Sequence, residues 1–318
     1  MKKPSLFLGL IFLAMLSIAG ALLIGSVANA DFSLIYQLRL PRVLAAFAVG
    51  GLLAMSGCLL QVLTRNPLAE SSVLGVSGGA SVGALAVLMM GGAGTIWVAG
   101  GAWLGAVSVL VLLWLLVGGY ATHPSRLLLA GVMVATGCGA ITSLMIAFAS
   151  DLAMPGMIHW LMGDLDSVMS LEVVGALLGI WLSVLLILMK LAPKIHLLQL
   201  GTDKALSLGV DVPFIQWMMV LLAALCAAAA VSVAGSIGFV GLLVPHMLRA
   251  MVIKRLGPDQ TFLLPASGLL GGIFLVLSDM VARTVIAPSQ LPVGVITALI
   301  GVPSFLFLLA RLRQWSSL

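Results

Sequence analysis

Charge is what this sequence has least of. Only 8% of its 318 residues are Asp, Glu, Lys or Arg, against roughly 25% in a soluble domain. The shortage excludes a water-soluble globular protein, and a hydrophobic content of 62% excludes disorder, which needs low hydrophobicity and high charge. The apolar stretches also lack the alternation that an outer-membrane barrel strand requires. Cysteine is scarce: Cys58, Cys138 and Cys226 are odd in number, widely spaced and without a CxxC. They read as small buried hydrophobes rather than a disulfide framework or a metal site. No Gly-Lys dipeptide occurs, so the chain has no Walker A loop and hydrolyses no nucleotide itself. Finally, the centres of the apolar stretches are almost bare of ionisable groups, where an ion-coupled carrier keeps its acids and bases. The net charge of +5 reports topology before it reports nucleic acid.

What is present is a series of charge-free stretches at 4–30, 43–64, 71–125, 127–150, 173–189, 212–248, 260–278 and 284–310. A spanning helix needs about 20 apolar residues. The third stretch therefore holds two spans, broken at Gly91-Gly92-Ala93-Gly94, and the sixth holds two, broken near Gly235-Ser236-Ile237-Gly238. The reading is all-α: a polytopic helical membrane protein of ten spans, one domain over 1–318. With both termini cytoplasmic, twelve of the fifteen basic residues fall inside: Lys2, Lys3, Arg65, Arg126, Lys190, Lys194, Lys204, Arg249, Lys254, Arg255, Arg311 and Arg313. Asp151, Asp164, Asp166 and Glu172 then cluster outside. Lys2-Lys3, an apolar stretch and Ala28-Asn29-Ala30 are similar to a signal peptide, but Leu6–Ile24 exceeds the usual apolar core, which favours an uncleaved first span.

Three arginines break the topological rule. Arg39, Arg42 and Arg283 fall outside, where guanidiniums can pair with carboxylates of a docked partner, with lipid phosphates, or with local acids such as Asp279. Asp279 and Arg283 are four residues apart, on one helix face. On the inner side, Leu198–Val212 is the longest loop. A short helix through Ala205-Leu206-Ser207-Leu208, capped by Thr202 and stopped by Gly209, would present apolar residues either to a partner or to the lipid surface. Gly75, Gly79 and Gly83 form a GxxxG ladder, repeated by Gly268 and Gly272, that lets spans approach closely. Gly75-Val76-Ser77-Gly78-Gly79 also matches G-x-S-x-G, with His246 on another span, but an intramembrane protease elbow needs a strand-to-helix turn that this sequence lacks. Thr142 and Ser143, among Gly131, Gly137 and Gly139, either line a wet path or bond a neighbouring helix. Pro155-Gly156 opens a short outside helix, 157–162, carrying His159 and Trp160.

Six strings in order carry a family resemblance: Gln37-Leu-Arg-Leu-Pro-Arg42; Asn66-Pro-Leu-Ala-Glu70 with Leu74-Gly-Val-Ser77; Arg126-Leu-Leu-Leu-Ala-Gly131; Gly238-Phe-Val-Gly-Leu-Leu-Val-Pro-His246; Asp279-Met-Val-Ala-Arg283; and Leu291-Pro-Val-Gly294. From Gln37 to Arg313 the chain resembles the FecCD family, permease subunits of ABC importers for iron-siderophores, haem and vitamin B12. The resemblance implies a type II importer permease with ten helices, no enzymatic activity and no cofactor of its own. It implies a homodimer or close heterodimer in the bacterial inner membrane, two cytoplasmic ATPase subunits that hold ATP and Mg, and a periplasmic binding protein. By the same resemblance Arg39, Arg42 and Arg283 dock the binding protein. Gly201, Thr202, Asp203, Ala205, Leu206, Leu208 and Gly209 couple to the ATPase, and Thr142 and Ser143 form the cytoplasmic gate. The family's inverted repeat leaves no visible trace here, and the outside loop Asp31–Gln37 is shorter than in many members. An iron chelate is the expected cargo, with cobalamin the alternative.

Overall fold

The computed structural model describes residues 3–25, 32–92, 94–117, 124–166, 168, 170–256 and 259–315. Lys2, Ala28-Asn29-Ala30, Asp31 and Ala93 lie outside the described residues, as do the side chains of Lys3, Lys254, Arg255, Arg311 and Arg313. The described chain is helical, with no strand among the described residues. In order the α-helices are α1 (Lys3–Leu23), α2 (Phe32–Leu34), α3 (Leu40–Leu63), α4 (Val76–Met89), α5 (Thr95–Val117), α6 (Pro124–Ala147) and α7 (Met154–Leu161). There follow α8 (Leu171–Leu198), α9 (Thr202–Ser207), α10 (Val212–Ala234), α11 (Val240–Leu256), α12 (Gln260–Thr284) and α13 (Val293–Trp315). Both expected breaks occur, between α4 and α5 and between α10 and α11. The short helix after Pro155 is α7.

Seven of the helices are long and apolar enough to cross a bilayer; Val76–Met89, Val240–Val252 and Val293–Phe307 are apolar but shorter. At 1.5 Å per residue the 14 residues of α4 reach only about 21 Å, short of a hydrocarbon core of roughly 30 Å. Irregular backbone flanks two of these helices: the tight turn Ser71–Leu74 before α4, and the helix-free residues 235–239 before α11. Backbone of that kind is tolerated at membrane depth only where protein covers it. Gly75, Val76 and Ile237 are buried accordingly.

The architecture is organised around α3. Its span is 94% buried, followed by α12 at 78% and α10 at 72%, whereas α1, α5, α6 and α8 lie between 17% and 28%. Small residues explain the centre. Gly50 of α3 meets Gly271 of α12, and Gly57 meets Gly241 of α11, each so closely that a Cβ would strike the facing backbone. Ser56 Oγ donates to Ala223 O of α10 at 2.7 Å, the kind of hydroxyl bond that joins spans where lipid supplies no hydrophobic drive. The expected ladder behaves likewise: Gly79 and Gly83 of α4 face Gly105 and Gly101 of α5. In α12 the expected Gly268 and Gly272 also face α3, at Gly51 and Phe47, with Gly271 between them against Gly50.

Candidate docking faces and transport path

At one end of the bundle, α3 begins with Pro41 in its first turn, where a missing N–H does no harm. A five-residue π-helical turn, Ile35–Arg39, precedes it. This start fixes Arg39 and Arg42 one turn apart at the mouth. The structure buries both, and Arg283 with them; each is at most 7% exposed. Arg42 Nε donates to Asp279 Oδ1 at 2.8 Å. Its Nη1 donates to Asp166 Oδ1 at 2.7 Å and to Gln290 Oε1 at 2.5 Å. Arg283 Nε lies 2.9 Å from the second Asp279 oxygen, close enough for an ion pair though not aligned as a hydrogen bond. Arg283 Nη2 donates to Ala21 O, and Arg39 Nη1 donates to Leu22 O and Leu23 O. The cluster thus ties the end of α1, the start of α3, the end of α12 and the loops after α7 and α12. The helix-face pair Asp279–Arg283 is present as its spacing implied, but no free guanidinium stands at the mouth. The acceptors exposed there are Asp166 and Gln290.

From the Asp166 loop, α8 carries the chain about 40 Å to the opposite end, where α9 lies. Gly201, at φ +111°, occupies the position before α9, and Thr202 is its first residue with no side-chain cap, which corrects the expected role of Thr202. Gly209 closes the segment at φ +79°. The helix packs on α8 and α10 with Ala205 fully buried, while Leu206 and Leu208 are exposed, with Thr202 and Asp203 beside them.

Thr142 and Ser143 are expected at a gate on the α9 side. The structure places them elsewhere. Ser143 lies about 28 Å along α6, one turn before its end at Ala147, and the chain proceeds from there through α7 to the Asp166 loop. They belong to the arginine end. Nor do they share a face: Thr142 is half-buried, whereas Ser143 is exposed and donates to Gly139 O at 3.0 Å. Ser143 instead shares an uncovered stripe with Thr136 and Ala140, and a Cβ at Gly137 or Gly139 would meet nothing. Thr136 escaped the sequence reading, although its i, i+7 spacing from Ser143 was a usable signal.

Between the two ends, Ser236, Gly238 and Phe239 line an open cavity of about 610 Å³ with Met162, Val302 and Pro303. Phe239 adopts φ +68°, and its N–H donates to Glu70 Oε1 at 2.6 Å. Burial raises the Glu70 carboxyl pKa, and the Phe239 N–H opposes that shift. Nearby, Pro245 inside α11 leaves the Gly241 carbonyl without its helical donor. Gln61 Nε2 supplies one at 3.2 Å and also reaches Ala69 O and Leu242 O, while its Oε1 accepts from Arg249 Nη2. Gln61 and Glu70 were missed as functional candidates; a lone amide in the charge-free stretch 43–64 was the signal. Ser77 and His246 share no hydrogen bond, and Ser77 O instead accepts from Ser81 Oγ.

Residues 4–311 match the FecCD transport family. The chain belongs to it. Among its FecCD relatives is the cobalamin import system permease protein of Halobacterium salinarum, 41% identical over 281 residues, 86% of this chain and 72% of that protein. The vitamin B12 import system permease protein of Vibrio cholerae is 37% identical over 280 residues, covering 87% and 83%. Among solved structures, an ABC transporter described as of metal-chelate type, in an inward-facing conformation, superposes with a TM-score of 0.86 at 30% identity, covering 97% of this chain and 99% of that one. The chain is therefore the membrane-embedded permease of an ABC importer, working with a separate ATPase and a binding protein. The family resemblance and the helical fold expected from the sequence hold. Both of these permeases are named for cobalamin or vitamin B12, whereas the cargo expected from the sequence was an iron chelate first.

Proposed function

We propose that this permease imports cobalamin across the bacterial inner membrane, paired with a second copy or a close relative. The observation that carries this reading is its likeness, over most of both chains, to two permeases named for cobalamin or vitamin B12. An iron chelate is the second reading, favoured by the metal-chelate type neighbour. The arginine end faces the periplasm, with both termini in the cytoplasm, as the basic residues require. There a binding protein brings carboxylates to the cluster of Arg39, Arg42 and Arg283, whose exposed edge is Asp166 and Gln290. At the other end, residues 201–209 meet the ATPase, which holds ATP and Mg, with Leu206 and Leu208 as the apolar contacts. The uncovered stripe of α6 with Thr136 and Ser143 lines the path near its outer mouth.

Uptake of labelled cyanocobalamin into vesicles carrying the permease, its ATPase and its binding protein tests the cargo. Cobalamin should accumulate on ATP addition, and accumulation of a ferric siderophore in its place would overturn the reading.

A further inference from the structure

The acceptors around Arg42 differ in their access to solvent. Asp279 holds Nε from a site 1% exposed, whereas Asp166, on Nη1, is 57% exposed. Nη2 of the same guanidinium is buried without a hydrogen-bond partner. One oxygen atom of an exposed acid thus stands where a carboxylate could bridge both terminal nitrogens, as bidentate pairing prefers. An ion pair with one exposed member contributes little and is open to competition.

The loop that carries Asp166 has a second set of ties. Asp164 Oδ1 accepts from Asp166 N at 3.1 Å. Asp164 N donates to Ala234 O at 2.9 Å, and Gly163 O accepts from Gly294 N at 3.1 Å. Four residues therefore connect Arg42 to the entrance of the 235–239 segment and to the start of α13, both of which line the cavity.

We propose that Asp166 is an internal stand-in for the carboxylate of an acidic docked protein, and that exchanging the two acids on Arg42 frees the Gly163–Asp166 loop. This rests on the docking reading above. Charge favours it. Three arginines against Asp279 and Asp166 leave the cluster at +1, withdrawal of Asp166 raises it to +2, and an incoming carboxylate restores +1. Asp279 keeps Arg42 in place throughout, so the site presents a prepared guanidinium whose last ligand is replaceable. The loop then transmits occupancy through its backbone bonds to Ala234 and Gly294.

The dissociation constant of the binding protein for the permease–ATPase complex in phosphatidylcholine nanodiscs tests the exchange. Asp166→Asn should tighten docking on the order of 3- to 10-fold, by removing an internal competitor. Asp166→Ser should act in the same direction if the Asn variant fails to assemble. In an Arg42→Gln background the Asp166 substitution should have no effect, which a general loosening of the loop would not produce. If Arg42→Gln weakens docking while neither Asp166 variant tightens it, the exchange is wrong and the docking reading stands. If Arg42→Gln leaves docking unchanged, the docking reading itself falls. A tightening that requires anionic lipid would assign Arg42 to lipid phosphate and overturn the proposal.

Discussion

Asp279 holds two guanidiniums from a position only 1% exposed. Removing one member of a buried ion cluster strands the others, at about 3–5 kcal/mol. Asp279→Ala should therefore lower the unfolding temperature in detergent far more than Asp166→Ala, whose side chain is largely exposed. A second residue-scale prediction concerns Glu70. Its folded-state pKa is raised above the ordinary carboxyl value of 4.5, chiefly by burial, so over that interval the folded protein holds a proton that unfolding releases. Stability must then fall as pH rises from 4.5 through the folded-state value. Unfolding of Glu70→Gln, followed across that range, should lose this downward slope. Local spacing made the Asp279–Arg283 pair readable in the sequence. Arg42–Asp279 was not readable, because its partners are separated by 237 residues and no periodicity links them. The depth of Thr142 and Ser143 was not readable for a related reason: a resemblance supplied their role, whereas only the length of α6 fixes where they lie along it.

At the scale of elements, the short helices explain where the span count was legible. Glycine breaks divided the long apolar stretches correctly, since Gly91 and Gly235 both take positive φ, which side chains avoid. Charge gaps, however, cannot distinguish a full span from a 14-residue helix continued by irregular covered backbone. The partner of the α4 ladder was legible too, as the GxxxG of Gly101 and Gly105, because close packing needs small residues on both helices. α9 divides its side chains by burial: Ala205 is buried while Leu206 and Leu208 are exposed. Leu206→Asp should thus leave the unfolding free energy within about 0.5 kcal/mol of the parent, as surface changes do. It should nevertheless abolish co-purification with the ATPase; retained co-purification would remove α9 from the coupling role.

For the whole molecule, the scarcity of charge acquires a geometric meaning. Among the described residues the ion pairs gather at the arginine end, and α3 is held against α11 and α12 by close glycine contacts. Uptake should survive collapse of the membrane potential and pH gradient, and should stop when the Walker A lysine of the partner ATPase is replaced; the opposite pattern would indicate a carrier. The clamp around Arg42 also sets a clock on biogenesis. Arg42 emerges early, but Asp279 follows 237 residues later, a delay of roughly 10–50 s at about 5–20 residues per second. Throughout that interval the first arginines at the membrane face wait without their principal counter-ion. Asp166 arrives 124 residues after Arg42, so the exposed acid can hold the central helix's arginine until the buried one is made.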